Sequence, residues 1–316
     1  MSIDSNRVLI LFGPTAVGKT ATIDRLERDD RLPAKPVVVV SADSAQVYRG
    51  MDIGTAKPAM GERARIEHEL IDIRDPSEPY SVGDFTRMAD DACLRACARG
   101  ALPILSGGTA YYIKAFLFGA PPAPPSDPAV RAAIRAMLAD LGGAEAARLE
   151  LARVDPISAA RIAPADLYRT ARALEVYRCS GKPLSSFVPA TMPRERWNPL
   201  VIGLNRPRSE LYARIEARVD AMLAGGLQEE FERLVAAGYG QDSPGMKAIG
   251  YAEFFNRSAS LVDISAAIKL HTRHYAKRQL TFMRAIPGVR WFGADDYDAL
   301  SDAIASWLRD GPTKSP

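Results

Sequence analysis

Hydrophobic and polar positions fall into two alternating textures along the chain. Val8-Leu9-Ile10-Leu11-Phe12, Val37-Val38-Val39-Val40, Leu102-Pro103-Ile104-Leu105 and Leu200-Val201-Ile202-Gly203-Leu204 are unbroken apolar runs, the pattern of strands covered on both faces of a parallel sheet. Residues 68–73 read as one further short strand. Between the runs the period lengthens, predicting helices over 21–27, 81–99, 111–118, 210–224, 227–237, 248–255, 262–285 and 299–308, with Ser81 as a cap. Trp291-Phe292 reads as a short apolar tail. Strands alternating with helices predict an α/β fold around a parallel sheet.

One stretch departs from this alternation. Ala120-Pro121-Pro122-Ala123-Pro124-Pro125-Ser126-Asp127-Pro128 can continue neither helix nor sheet. Beyond it only helical patterns occur, over 129–141, 144–153, 157–161 and 167–180, before the strand at Leu200. The expected organisation is therefore a core of residues 1–122 and 198–316 with an all-helical insertion at 123–197.

The 316 residues are 47% hydrophobic and 25% charged, a globular composition. Lys and Arg exceed Asp and Glu by 41 − 38 = 3, so any polyanion must be met by clustered charge rather than by the total. Cys93, Cys97 and Cys179 form neither a disulfide framework nor a metal cluster. The segment 1–6 lacks the basic and apolar regions of a leader, and no run reaches membrane-spanning length. A reduced, cytoplasmic monomer without membrane contact is expected.

Chemistry is concentrated where strands end. Gly13-Pro14-Thr15-Ala16-Val17-Gly18-Lys19-Thr20 fits the phosphate-loop pattern between a strand and a helix. Its glycines let backbone N–H groups face phosphate oxygens, Lys19 adds a cation, and the Thr20 hydroxyl is the candidate ligand for Mg2+. The loop alone does not say which phosphate ester it holds. Asp43 follows the second strand, and Gly107-Gly108-Thr109 follows the run at Leu102. In open α/β sheets that edge carries the site, which brings Asp43, Thr109 and Thr15 to one crevice. Residues 47–58 are polar and aperiodic, a candidate functional loop.

Basic residues cluster in two places. Arg161, Arg169, Arg172 and Arg178 lie in the insertion, with Arg169 and Arg172 on one helix face. Residues 271–284 alternate cations, including Lys277 and Arg278, with Tyr275 and Phe282, suiting phosphates and unpaired bases or an amphipathic helix with one face in the core. His271 and His274 have helical spacing but no third ligand. These features admit a kinase with Asp43 as base, a transferase that displaces pyrophosphate from carbon, or a nucleotide-gated RNA-binding protein.

The phosphate loop, Asp43-Ser44-Ala45-Gln46-Val47-Tyr48, residues 51–58, Gly107-Gly108-Thr109, residues 172–177, Ala248-Ile249-Gly250-Tyr251 and Lys277-Arg278-Gln279 occur in the order in which they stand in the tRNA dimethylallyltransferase family, which the chain resembles over roughly residues 7–295. The resemblance implies a P-loop NTPase-like core whose loop is recruited for dimethylallyl diphosphate. It also implies transfer of the dimethylallyl group to N6 of the adenosine 3′ of the anticodon, with magnesium. Asp43 would take the N6 proton, and Thr15, Lys19, Thr20, Thr109 and Arg218 would hold the diphosphate. Asp43, Ser44, Ala45, Gln46, Thr109, Arg131, Arg169, Arg172, Lys247, Ala248, Ile249, Gly250, Tyr251, Lys277 and Arg278 would meet tRNA, with the insertion clamping the anticodon stem-loop. Prenylation of free AMP is a related activity, against which the basic insertion argues. Ala110, Glu69 and Ala165 depart from the family pattern without removing a proposed catalytic group.

Overall fold

The structure, a computed structural model, describes residues 6–32 and 36–310. The leader reading of segment 1–6 thus falls, but for Asn6, outside the described residues. The chain forms two compact units, one of residues 1–117 and 194–316, the other of residues 118–193. The division lies a few residues before the boundaries suggested by the proline run and by the strand at Leu200.

In the first unit the four apolar runs are strands β1 (Arg7–Phe12), β2 (Val37–Ser41), β4 (Leu102–Gly107) and β5 (Asn198–Asn205). Burial on both faces of these β-branched and aliphatic runs is what a central parallel sheet demands. With β3 (Glu67–Glu69) and β6 (Arg290–Gly293) they make a six-stranded, all-parallel sheet in the order β3-β2-β4-β1-β5-β6. β1 sits inside it, flanked by β4 and β5, so the loop leaving β1 emerges beside those leaving β2 and β4.

Two strands differ from the sequence reading. β3 stops at Glu69 because Leu70 and Asp72 take φ of 66° and 58°, a left-handed backbone that ends a ladder. Trp291-Phe292 is no tail. It belongs to β6, pairing Gly203 with Trp291 and Leu204 with Phe292. A Cβ at Gly203 would stand 2.7 Å from the Trp291 ring, so the glycine in β5 makes room for the tryptophan of its neighbour.

The helices of this unit are α1 (Lys19–Arg28), α2 (Met60–Arg65), α3 (Val82–Ala98), α4 (Ala110–Phe118), α9 (Arg208–Ala224), α10 (Leu227–Ala236), α11 (Leu261–Met283) and α12 (Tyr297–Arg309). The segment expected as a helix over 248–255 is mostly irregular, with one 3-10 turn at Ala252–Phe255. The second unit holds α5 (Pro128–Ala139), α6 (Gly143–Val154), α7 (Pro156–Arg161) and α8 (Leu167–Ser180) around a small core that includes Ile134, Leu151, Ile162 and Leu174. Asp127, Asp155 and Asp166 cap α5, α7 and α8, accepting the N–H groups a helix start leaves unpaired.

The chain leaves the first unit after Leu117 and returns at Arg194, whose N–H donates to the Leu117 carbonyl at 2.8 Å. The Arg194 guanidinium forks onto Asp90 at 2.7 and 2.9 Å, and the Trp197 indole donates to the same carboxylate at 2.7 Å. The return crossing is therefore fastened to α3, and the exit crossing is tied to it through the Leu117 carbonyl.

Candidate active site

The phosphate loop runs from β1 into α1, and its shape is held from behind through its carbonyl groups. Lys19 Nζ donates to the carbonyls of Gly13 at 2.9 Å and Pro14 at 3.1 Å. Arg206 Nε donates to Val17 O at 2.8 Å and Arg214 Nε to Ala16 O at 2.9 Å. Turning the carbonyls toward cations turns the N–H groups the other way, as an anion cradle requires. Gly18, at φ 117°, supplies the left-handed bend at the start of α1. Thr20 lies in the first turn of α1 and is exposed.

Arg218, on α9, donates to the Thr15 hydroxyl at 3.1 Å. Burial pushes its pKa down and Arg214 adds to this, while Asp43 opposes them. Burial likewise lowers Lys19 to about 8, helped by Arg218 and opposed by Asp43. The donor side is thus a desolvated concentration of positive charge whose opposing partner is Asp43.

Asp43 stands just past β2. Its Oδ1 accepts the N–H groups of Ala45 at 2.9 Å and Gln46 at 3.4 Å, which turns the chain and fixes the carboxylate. Oδ2 has no hydrogen-bond partner among the described residues. Thr109, beyond β4, accepts the Ser44 N–H at 3.0 Å and donates its own N–H to Ala42 O at 3.1 Å. This close approach requires Gly107, because a Cβ there would stand 2.1 Å from the Ala42 carbonyl oxygen. Thr15, Asp43 and Thr109 thus stand at one sheet edge, in the loops that leave β1, β2 and β4.

α11 closes this edge. Gln279, 4% exposed, accepts the Thr15 N–H on Oε1 at 3.0 Å and donates from Nε2 to Gly108 O at 2.7 Å. One turn earlier, Tyr275 has its hydroxyl within hydrogen-bonding range of Thr109 and Gln279, and burial, chiefly, raises it to about 12. Tyr275 therefore belongs to the interior reading of this helix. Lys277 and Arg278 are exposed.

The loop after Asp43 is clamped by a group the sequence reading passed over. Glu230, 2% exposed on α10, accepts N–H groups from Asp52, Ile53 and Gly54 at 3.0 to 3.2 Å and the Tyr251 hydroxyl at 2.5 Å. Its sequence signal is an acid at the i+3 position of a face otherwise buried through Leu227 and Leu234. Gln279 carries a similar signal between buried Ala276 and Met283. Lys57 ties the same loop, donating to Tyr48 O, Asp52 and Asp72 at 2.6 to 2.7 Å.

These clamps correct several expected RNA contacts. Tyr251 is fully buried and Gly250 is buried too, because the ring packs on Gly54 and its hydroxyl serves Glu230. Gln46 is turned inward, accepting from Ser41 at 2.9 Å and donating to Ala56 O at 3.2 Å. Of residues 247–251, Lys247 is exposed and Ala248 and Ile249 are half-buried. Ser44 is exposed and Ala45 half-buried.

Within the helical unit, Arg169 and Arg172 share a helix but not an environment. The Arg169 side chain is 74% exposed beside Asp166, whereas that of Arg172 is 30% exposed. Arg172 donates to buried Glu175 at 2.9 Å and to the Pro124 carbonyl. It is a strut holding the proline run to α8. Arg131 is half-buried, 3.3 Å from Ser126 and stacked near Tyr168.

No group of three or more His, Cys, Asp or Glu side chains among the described residues could hold a metal. The Thr20 hydroxyl is one oxygen at the loop, and magnesium takes few protein ligands when phosphate oxygens and water complete its octahedron. The donor set fits an ion carried largely by the diphosphate. No helix of the described residues is long and apolar enough to cross a membrane.

Comparison with known proteins agrees with this geometry. Residues 46–286 match the family model described as IPP transferase. The tRNA dimethylallyltransferase of Geobacillus kaustophilus (strain HTA426) is 43% identical over 296 residues, 92% of each chain. A solved tRNA isopentenylpyrophosphate transferase from Bacillus halodurans superposes with a TM-score of 0.67 at 36% identity, covering 96% of this chain and 95% of that one. A eukaryotic dimethylallyltransferase, solved in a study of its action on tRNA, gives a TM-score of 0.77 at 27% identity, with 96% of this chain and 77% of that one covered. The family model begins at Gln46, after the phosphate loop and Asp43, while the Geobacillus relative matches over 92% of the chain, and the chain belongs to the IPP transferase family, that of the tRNA dimethylallyltransferases.

Proposed function

We propose that the chain transfers the dimethylallyl group of dimethylallyl diphosphate to N6 of adenosine 37, 3′ of the anticodon in tRNA, releasing diphosphate. One observation carries the assignment to residues: a cationic phosphate loop and a carboxylate with an open oxygen meet at one sheet edge. Thr15, Lys19, Arg218 and the loop N–H groups receive the diphosphate and stabilise the charge that grows as the carbon–oxygen bond breaks. Asp43 accepts a proton from the adenine N6 amine as nitrogen bonds to the allylic carbon, offsetting the poor nucleophilicity of an amine conjugated with the ring. Thr109 holds the loop that carries Asp43. The Thr20 hydroxyl would hold magnesium, which when bound would supply further charge neutralisation to the diphosphate.

The target adenosine must leave the anticodon stack to reach this edge, at a cost of a few kcal/mol. Exposed Ser44, Lys247, Lys277, Arg278 and, in the helical unit, Arg169 supply surface for the RNA backbone. Three free cysteines, two of them buried, suit a reduced cytoplasm.

The test is incubation of the protein with magnesium, dimethylallyl diphosphate and unmodified tRNA, then mass spectrometry of the digested nucleosides. Adenosine heavier by one isopentenyl group is expected. Prenylated AMP with no tRNA product would move the activity to free nucleotides, and absence of both would overturn the reading.

A further inference from the structure

We infer that Gln279 is a positioning residue for the transfer, setting the gap between the loop that holds the departing diphosphate and the edge that presents the acceptor. The inference rests on the proposed transferase reading and deepens it.

The Gln279 carboxamide makes two hydrogen bonds, one to each side of the crevice. Oε1 accepts the Thr15 N–H at 3.0 Å and Nε2 donates to the Gly108 carbonyl at 2.7 Å. A backbone N–H can only donate and a carbonyl can only accept, so the amide has one possible orientation and a flip would break both bonds. Thr15 lies in the loop after β1, and Gly108 immediately precedes Thr109 after β4. Gln279 therefore spans the two sides of the crevice as a rigid planar spacer, anchored near the C-terminal end of helix α11 rather than in a loop.

The surroundings are built around that spacer. A Cβ at position 108 would stand 2.3 Å from Nε2, so glycine there is matched to glutamine here. Thr15 carries the hydroxyl that receives Arg218 at 3.1 Å, and Thr109 receives the N–H of Ser44, next to Asp43. Through these two threonines the carboxamide reaches both the cation of the leaving-group side and the loop of the base. It also commits the Thr15 N–H to the protein, leaving the diphosphate to the other loop amides. A displacement at carbon is sensitive to such spacing, since misplacement by about 1 Å costs on the order of 10²-fold in rate.

Two variants test this in the whole protein. Gln279→Met keeps length and volume but removes both hydrogen bonds. Gln279→Glu keeps an acceptor for the Thr15 N–H, while an ionised carboxylate opposes the Gly108 carbonyl and a protonated one can donate to it. The readouts are single-turnover transfer at saturating dimethylallyl diphosphate and tRNA, tRNA affinity by filter binding, and thermal melting. For Gln279→Met we expect transfer to fall about 10²-fold, with tRNA affinity unchanged within about twofold. For Gln279→Glu the ratio of its rate to that of the native protein should rise as pH is lowered from 8 to 6, because burial keeps such a carboxyl protonated to higher pH than usual. Transfer within about twofold of native in both folded variants would overturn the inference. So would losses that follow only the unfolded fraction, or a Gln279→Glu ratio independent of pH. If the native protein made no prenylated tRNA, the transferase reading itself would fail, which the native control reports separately.

Discussion

The loop after β1 and the loop after β2 leave the same edge of one sheet, yet their backbones are fastened through opposite poles. The phosphate loop is gripped by its carbonyls, with Lys19, Arg206 and Arg214 as the donors. The loop beyond Asp43 is gripped by its amides, with buried Glu230 as the acceptor for residues 52–54. The first arrangement leaves N–H groups and surplus cation for an incoming anion. The second consumes its N–H groups internally, so this loop offers a shaped wall rather than a second anion site. On the proposed reading two polyanionic substrates meet here, and the difference in fastening would give the diphosphate one place to go.

The comparison is broken most directly at Asp43, which belongs to the second loop but faces the charge of the first. Asp43→Ala should lower single-turnover transfer about 10²- to 10⁴-fold, the range for loss of a general base, with tRNA affinity within about twofold. An equal loss of tRNA binding would make Asp43 a fastening group instead. Glu230→Ala tests the amide clamp. It strands three N–H groups and the Tyr251 hydroxyl, and should cost about 3 kcal/mol of stability in urea unfolding, with weaker tRNA binding and unchanged diphosphate affinity.

The carbonyl clamp is tested by pH. Lys19 has a pKa of about 8 in the free protein against 10.5 ordinarily. Between those values the unfolded chain holds a proton that the folded one has lost, so this group's contribution to stability rises with pH across the window. Diphosphate favours the charged form, so its affinity should fall as pH passes above about 8, and calorimetry in buffers of different ionisation enthalpy should show proton uptake. A flat profile would remove Lys19 as the anion's partner. The smallest effect is expected outside both loops: Arg169→Ala should weaken tRNA binding several-fold and reduce the salt slope by about 1, with no change in melting.

Long apolar runs and the phosphate-loop pattern made the strand order's main members and the donor side legible in the sequence, because local spacing dictates both. β6 was not legible, since four residues with one apolar pair become a strand only when Gly203 leaves space for Trp291. The inward turn of Tyr251 and Arg172 was not legible for the same reason that Glu230 was missed. A motif fixes which residues occur together, while the partner that turns a ring or a guanidinium inward lies far away in the chain. Glu230 and Tyr251 are 21 residues apart, and Gln279 and Thr15 are 264 apart.

The hydrogen bond that joins Leu117 to Arg194 bears on how such an enzyme could be taken apart. With Leu117 bonded to Arg194 and Arg194 fastened to Asp90, the chain between them is topologically a closed excursion. Its removal and replacement by a short glycine-containing turn demands little new loop-closure entropy. The remaining sheet keeps its strand order, and the excised piece keeps its own caps and core. A shortened protein that melts cooperatively and still binds dimethylallyl diphosphate would separate small-molecule chemistry from RNA capture along a seam the backbone already marks.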